Sequence, residues 1–547
     1  MPDQDSSLPA SPNPLHTEAN RGEPTSGQNP ISQTLPSSEN SSDVPPPPPI
    51  SISLPANPVN QQTASVSQVL PEPRSIPVVE EVFQAPVQIQ SPVPPPAVPP
   101  AQDQPPAEQK KAKTPPLKYL LLGLGVLVVL GGIAFALNSF LFSAKSPEQT
   151  TLTYWGLEEK TVMDSLIKEY EAKNPKVKIG YIKQAKEDYR ERLVNSLAKN
   201  SGPDIFSYHN TWVPMLSTQL APAPATIFNS AEFANTFYPT ASRDLVRGSS
   251  VFGVPLAIDG LGMYVNEAIF NENGKLIPNN WNDLLQTARE LTQKDEEGRI
   301  TRSGVAMGRT ENVDNWEDIL SLMLLQNKAD LANPQGELAE DPVLFFVSIA
   351  RDEKIWDDTL PRSTEAFAKG LAAMYFGPSS RAEEIKQLNP NLSFRIVPMP
   401  QLPKNSPDDP DINYSSYQAL GVWEKSKNSE EAWRFLKFLS EKSSLEKTYA
   451  AVSAARGYGN PYPRPDMAQP LENDPLVGAY LRQASTSHSS YLSSNTNDGS
   501  TGINSRLSQI WKGLVDQMIQ EGRDIKTLLP PVAESIRGVL AVYSASQ

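Results

Sequence analysis

The chain has 547 residues, a formal net charge of −14 and no cysteine. The missing thiols exclude disulfides, thiolate metal sites, a cysteine nucleophile and a lipid-modified N-terminal cysteine. Three histidines, His16, His209 and His488, argue against a multi-histidine metal centre, and the acidic balance makes a poor nucleic-acid binder.

The runs Pro45–Pro49 and Pro94–Pro96 lie within residues 1–116, where Phe83 is the lone aromatic. Such a segment cannot bury enough apolar surface to offset its ordering entropy. It is expected to be a disordered cytoplasmic tail with local polyproline II character. Two readings of it stay open, a solvated tail and a ligand for a proline-recognising module.

An uncharged apolar run then extends from Tyr119 to Ala144, with Lys110, Lys111, Lys113 and Lys118 before it and Lys145 after it. About 20 apolar residues span a bilayer core. Residues 117–144 are therefore expected to form a transmembrane signal anchor. The run is too long, and lies too far along the chain, for the apolar stretch of a cleaved signal peptide. The lysines place the N-terminus in the cytoplasm and the rest outside the cell membrane. Residues 145–149 read as a linker to an extracellular domain over 150–547.

Thr151–Trp155 is a short β-prone run, and Val162, Met163, Leu166, Ile167 and Tyr170 follow at helical spacing until Pro175 stops the helix. Val177–Ile182 reads as a second strand. Tyr189, Leu193, Val194, Leu197 and Ala198 mark another helix, and Ile205–Tyr208 a third strand. This order predicts an α/β fold with a mostly parallel sheet wrapped by helices. Ligands of such sheets bind beyond the carboxyl ends of the strands. Trp155 and Gly156 end the first strand; Tyr208, His209, Asn210 and Trp212 end the third. Further on, Trp281, Trp423, Trp433 and Trp511 read as packing residues and Lys294–Arg299 as a hairpin turn, while Ser493–Asn504 reads as a solvated loop, with a cleft-edge loop as the alternative. Asp408, Asp409 and Asp411 lack the EF-hand pattern and also read as solvated.

Seven segments carry a resemblance: TLTYWG, YEAKNPKVKIGYI, SGPDIFSYHN, VFGVPLAIDGLGMYVNEAIF, WNDLLQTARELTQKDEEGR, FAKGLAAMYFGPSS and ALGVWEKSKNSEEAWRFLKFLS. In this order they resemble the extracellular solute-binding proteins (family 1) of ABC importers, the sugar-binding group typified by maltose-binding protein. The resemblance implies a two-lobed, type II clamshell of the periplasmic-binding-protein kind with discontinuous lobes. Lobe one would take residues 150–257 and 413–453, and lobe two residues 258–412 and 454–547. It implies a carbohydrate as solute, permease subunits as partners, and no cofactor.

It also implies where ligand groups stand. Trp155 is the stacking candidate of lobe one, and Tyr208, His209, Asn210 and Trp212 form the adjoining loop. Asp259 sits at the first crossover. In lobe two, Trp316 matches a stacking position at a helix start. Tyr375–Ser379 matches a loop that often carries tryptophan where Ser379 stands here, which puts a strong stacking platform and maltodextrin in doubt. Tyr417 flanks the second crossover, with Tyr414 and Gln418. Arg456 and Tyr458 follow the next helix. No hydrolase motif is present. Beside the importer reading, a membrane-anchored sensor with the same fold and a signalling tail stays open.

Overall fold

The computed structural model describes residues 128–133, 149–404, 406 and 408–544. The tail (1–116) and most of the 119–144 run lie outside these. Residues 128–133 are helical and exposed. Among the described residues no helix is long and apolar enough to cross a membrane.

From residue 149 the chain lays down β1 (Thr150–Gly156), β2 (Val177–Lys183), β3 (Ile205–His209), β4 (Leu220–Ala221) and β5 (Val254–Pro255). It continues through β6 (Gly262–Asn266), β7 (Gln293–Lys294), β8 (Ile300–Val305), β9 (Ala372–Gly377) and β10 (Phe394–Val397). The last strands are β11 (Asn413–Tyr414), β12 (Gln418–Trp423) and β13 (Ser487–His488). One sheet has the order β2-β1-β3-β12-β4, with β5 also paired to β12. The other has the order β10-β6-β9-β8-β7. The first three strands are parallel, as their helical connections require. The expected mostly parallel sheet is corrected by β12, which runs antiparallel to β3, β4 and β5.

Each sheet has its own core. Helix Lys160–Lys173 buries the five positions its spacing predicts. Helix Ser429–Leu439 buries Ala432, Trp433, Phe435, Leu436, Phe438 and Leu439 on the same core. Trp281, Trp423, Trp433 and Trp511 are all buried. The Lys294–Arg299 turn is a hairpin between β7 and β8, in which Asp295 accepts from the amides of Glu297 and Arg299 and Gly298 takes φ +80°.

Core membership switches from lobe one to lobe two between Ile258 and Leu261, back between Tyr414 and Tyr417, and again between Leu439 and Tyr458. Only Ala484 departs from that division. The three crossings touch. Gly260 bridges Ser415, Ser416 N–H donates to Asp259 O at 3.0 Å, and Ile258 N–H donates to Pro461 O at 3.0 Å. Helix Lys442–Arg456 ends at Gly457 in the left-handed region, φ +87°, which frees the chain to turn into the third crossing.

Candidate functional site

A cavity of about 230 Å³ lies against the crossings. Lobe one supplies Tyr154, Glu158, His209 and Tyr417 to its walls; lobe two supplies Asn315, Asp318, Ser494 and Asn495. Asp259 and Ser416 line it from the crossings themselves.

His209 ends β3 and is almost fully buried. Both ring nitrogens are held, Nδ1 2.8 Å from Thr211 Oγ1 and Nε2 2.9 Å from Ser416 Oγ. Thr211 Oγ1 donates in turn to Asn504 Oδ1 at 2.9 Å, and Ser416 Oγ lies 3.3 Å from Ser493 Oγ. The histidine thus joins lobe one to the 493–504 segment along two routes. Burial pushes its pKa down to about 3, so the ring is neutral near pH 7 and serves as a hydrogen-bonding group.

Asp259 accepts from Gly260 N–H (2.9 Å), Ser379 N–H (2.9 Å) and Ser379 Oγ–H (2.8 Å). Burial raises its pKa, against the lowering effect of these bonds and of Arg456. Tyr458 completes the junction by donating to Ser379 O at 2.9 Å. Arg456 lies over the Tyr458 ring at 4.2 Å and donates to Tyr458 O, Gly459 O and Asn460 Oδ1. Its guanidinium therefore braces the third crossing.

Of the sequence candidates, His209, Asp259, Tyr417 and Gln418 line the cavity. Ser379, Arg456 and Tyr458 support it from behind, through the bonds just given. The others lie elsewhere. Trp155 packs half-buried against the first core, and strand alternation gives the inward place to Tyr154. Tyr208 and Trp212 are buried in that core, and Tyr208 donates to Phe252 O at 3.2 Å. Asn210 bonds Asp244 and the Tyr417 backbone. Trp316 and Tyr375 are buried in the second core, with the Tyr375 hydroxyl accepting from Thr364 Oγ1 at 3.0 Å.

The structure adds residues that spacing did not reveal. Asp318, one turn into helix Trp316–Gln326, accepts from Ser494 N–H at 2.8 Å and Asn315 Nδ2–H at 3.2 Å. Glu158 lies just past the carboxyl end of β1, after Leu157. The 493–504 segment corrects the solvated-loop reading in favour of the cleft-edge alternative: Ser494 and Asn495 line the cavity, and Ser493, Ser494, Thr496 and Asp498 are all buried. Asp498 accepts from the amides of Asn504 and Ser505 in the first turn of helix Ile503–Gln520. Arg190 of lobe one donates to Asp498 O at 3.1 Å and Thr501 Oγ1 at 3.2 Å. The polar side chains that mimic a surface loop are satisfied here by partners far away in sequence.

Two lobes, three touching crossings and a polar cavity between them describe a hinge around a small-molecule site. Residues 165–479 match the profile described as bacterial extracellular solute-binding protein. The chain belongs to that family. Its members are binding proteins, and this solute-binding protein is not an enzyme. Among curated relatives, the diacetylchitobiose binding protein DasA of Streptomyces coelicolor is 23% identical over 366 residues, 59% of this chain and 82% of that protein. The multiple sugar-binding protein of Streptococcus mutans is 22% identical over 355 residues, 60% of this chain and 81% of that protein. The structure of the sugar-binding protein MalE from Xanthomonas citri aligns with a TM-score of 0.59 at 17% identity, covering 72% of this chain and 98% of that one. A solute-binding protein from Thermotoga lettingae bound with α-D-tagatose aligns with a TM-score of 0.54, also at 17% identity, covering 72% and 100%. These likenesses confirm the two-lobed α/β fold.

Proposed function

We propose that this protein captures a carbohydrate outside the cell by hinge closure and hands it to the permease of an ABC transporter. The observation that carries the reading is the cavity at the three crossings, whose polar groups come from both lobes. A ligand touching both lobes favours the closed arrangement by its differential affinity for it. The sugar-binding relatives support carbohydrate as the class. His209, Asp259 and Tyr417 are the proposed ligand contacts among the sequence candidates, with Asp318 and Glu158 beside them.

The uncharged run Tyr119–Ala144, with its lysine flank, supports an anchor that keeps the domain outside the membrane and near its permease. The test is a sugar panel on the full-length protein in detergent, read by thermal unfolding. A ligand at a hundred times its Kd stabilises by about 2.7 kcal/mol. A panel with no stabilising member sinks the sugar reading, and release of the protein from membranes by alkaline carbonate sinks the anchor. The proline-rich residues 1–116 favour a second reading, a sensor with the same fold. Deleting them and measuring uptake separates the two: unchanged uptake supports import independent of the tail.

A further inference from the structure

This inference rests on the solute-binding reading and narrows it to a ligand class. Among the described residues, the charged side chains lining the cavity are Glu158, Asp259 and Asp318, with no lysine or arginine. The lining histidine, His209, is neutral near pH 7. Two of the three carboxylates are occupied by the protein, Asp259 by Ser379 and Gly260, Asp318 by Ser494 and Asn315.

Glu158 is different. Its backbone carbonyl accepts from the Tyr181 hydroxyl at 2.5 Å, but among the described residues no hydrogen bond or ion pair reaches its half-buried carboxylate. The cations around it act on it through their fields and without a hydrogen bond. Lys183 pairs with Glu159. Arg456 donates through Nε and Nη2 to Tyr458 O, Gly459 O and Asn460 Oδ1, and its charge is the largest that favours ionised Glu158. Lys186 is exposed and acts only through its field. Burial raises the pKa of Glu158 in spite of these charges.

A carboxylate that faces the cavity without protein donors is open to donors on a ligand. A neutral hydroxyl offers one hydrogen bond. A protonated amine offers a charge-assisted one, roughly twice as strong. A phosphorylated or uronic solute would meet three carboxylates, a juxtaposition that suppresses binding. We propose that the solute is a cationic amino sugar whose ammonium group sits on Glu158, with Tyr154 and Tyr417 beside the ring.

The test compares matched ligands on the full-length protein in detergent at pH 6.5, by thermal unfolding and calorimetry. The panel holds glucosamine, galactosamine and mannosamine, their N-acetyl forms, the parent hexoses and glucose 6-phosphate. The expected result is at least about tenfold tighter binding of one free amine than of its N-acetyl form and parent hexose, with no response to the phosphate. In Glu158→Gln that ratio falls towards one. Equal or tighter binding of the neutral partners overturns the proposal and leaves the sugar reading standing. No response to any member overturns both. The wild-type comparison decides the matter even if the variant fails to fold.

Discussion

Replacing Gly260 by alanine places a Cβ 1.9 Å from the carbonyl oxygen of Tyr414, 2.9 Å from its carbon and 3.0 Å from Ser415 Cα. All three obstacles are backbone, so no side chain can rotate away. The first and second crossings must part by about 1.5 Å to reach ordinary contact. Overpacking of this kind costs about 1–3 kcal/mol. Parting also weakens Ser416 N–H to Asp259 O and the neighbouring Ser415 N–H to His488 O bond, at about 1 kcal/mol each. The total is about 3–5 kcal/mol. With an unfolding entropy of about 2.1 cal/mol/K per residue, the two lobes together change by about 0.8 kcal/mol per degree. Gly260→Ala should therefore lower Tm by about 4–6 °C. It should also weaken solute binding, because the displaced strands carry Asp259 and Ser416. Differential scanning fluorimetry and calorimetry read both effects. A Tm within about a degree of wild type would show that the crossings are not in contact and refute the reasoning.

Gly513 is the internal control: a Cβ there meets nothing within 4 Å in helix Ile503–Gln520. Gly513→Ala should stabilise by about 0.8–1 kcal/mol, and a loss of stability would contradict the open space around it. For His209 the folded pKa of about 3 lies below the unfolded value near 6.5. The unfolded chain binds a proton that the folded chain refuses, so stability falls as pH drops through that window. His209→Gln should flatten this acid limb of the Tm–pH curve; superimposable limbs would place the ring in solvent. Glu158 has the opposite sign. Its raised folded pKa means that stability is lost as pH rises through the window above its unfolded value near 4.3. Ligand-free Glu158→Gln should melt above wild type at pH 7 and converge with it below about pH 4; a lower Tm at pH 7 would reveal a partner for the carboxylate. Trp155→Leu, on the face of β1 away from Tyr154, should leave solute affinity unchanged, and a large loss by calorimetry would return Trp155 to the site.

Periodicity carried most of the fold. The core positions of helices Lys160–Lys173 and Ser429–Leu439 stand at spacings only a buried face produces, and Pro175 and the 294–299 turn punctuate the chain visibly. The antiparallel β12 was not visible, because a short buried strand reads the same in either direction. The site was legible in part. His209 and Asp259 occupy strand and crossover ends, where convergence is expected. Aromatic residues were ambiguous: Trp212 and Trp316 are core members and Trp155 packs half-buried against a core, and an indole at a strand or helix end looks the same whether it packs or stacks. The 493–504 segment was legible only as the second of two readings, a cleft-edge loop beside a solvated one. Its Ser, Asn and Asp side chains signal a solvated turn unless their partners are known, and those partners (Glu317, Asp318, Arg190, Thr211) lie far back in the chain.

The position of β12 has a consequence for how the molecule is made. This strand sits inside the first sheet, between β3 and β4, yet the whole of β6 to β10 is synthesised before it. Lobe one therefore waits, with the edge of β3 unsealed, while lobe two is still emerging. Closing so large a loop is slow, and an unpaired strand edge invites mispairing. A nascent chain halted before Gln418 would hold neither half complete. The pieces that finish both halves, β12 and the buried 493–504 segment, arrive late, so proteolytic resistance should appear abruptly near the end of synthesis rather than lobe by lobe.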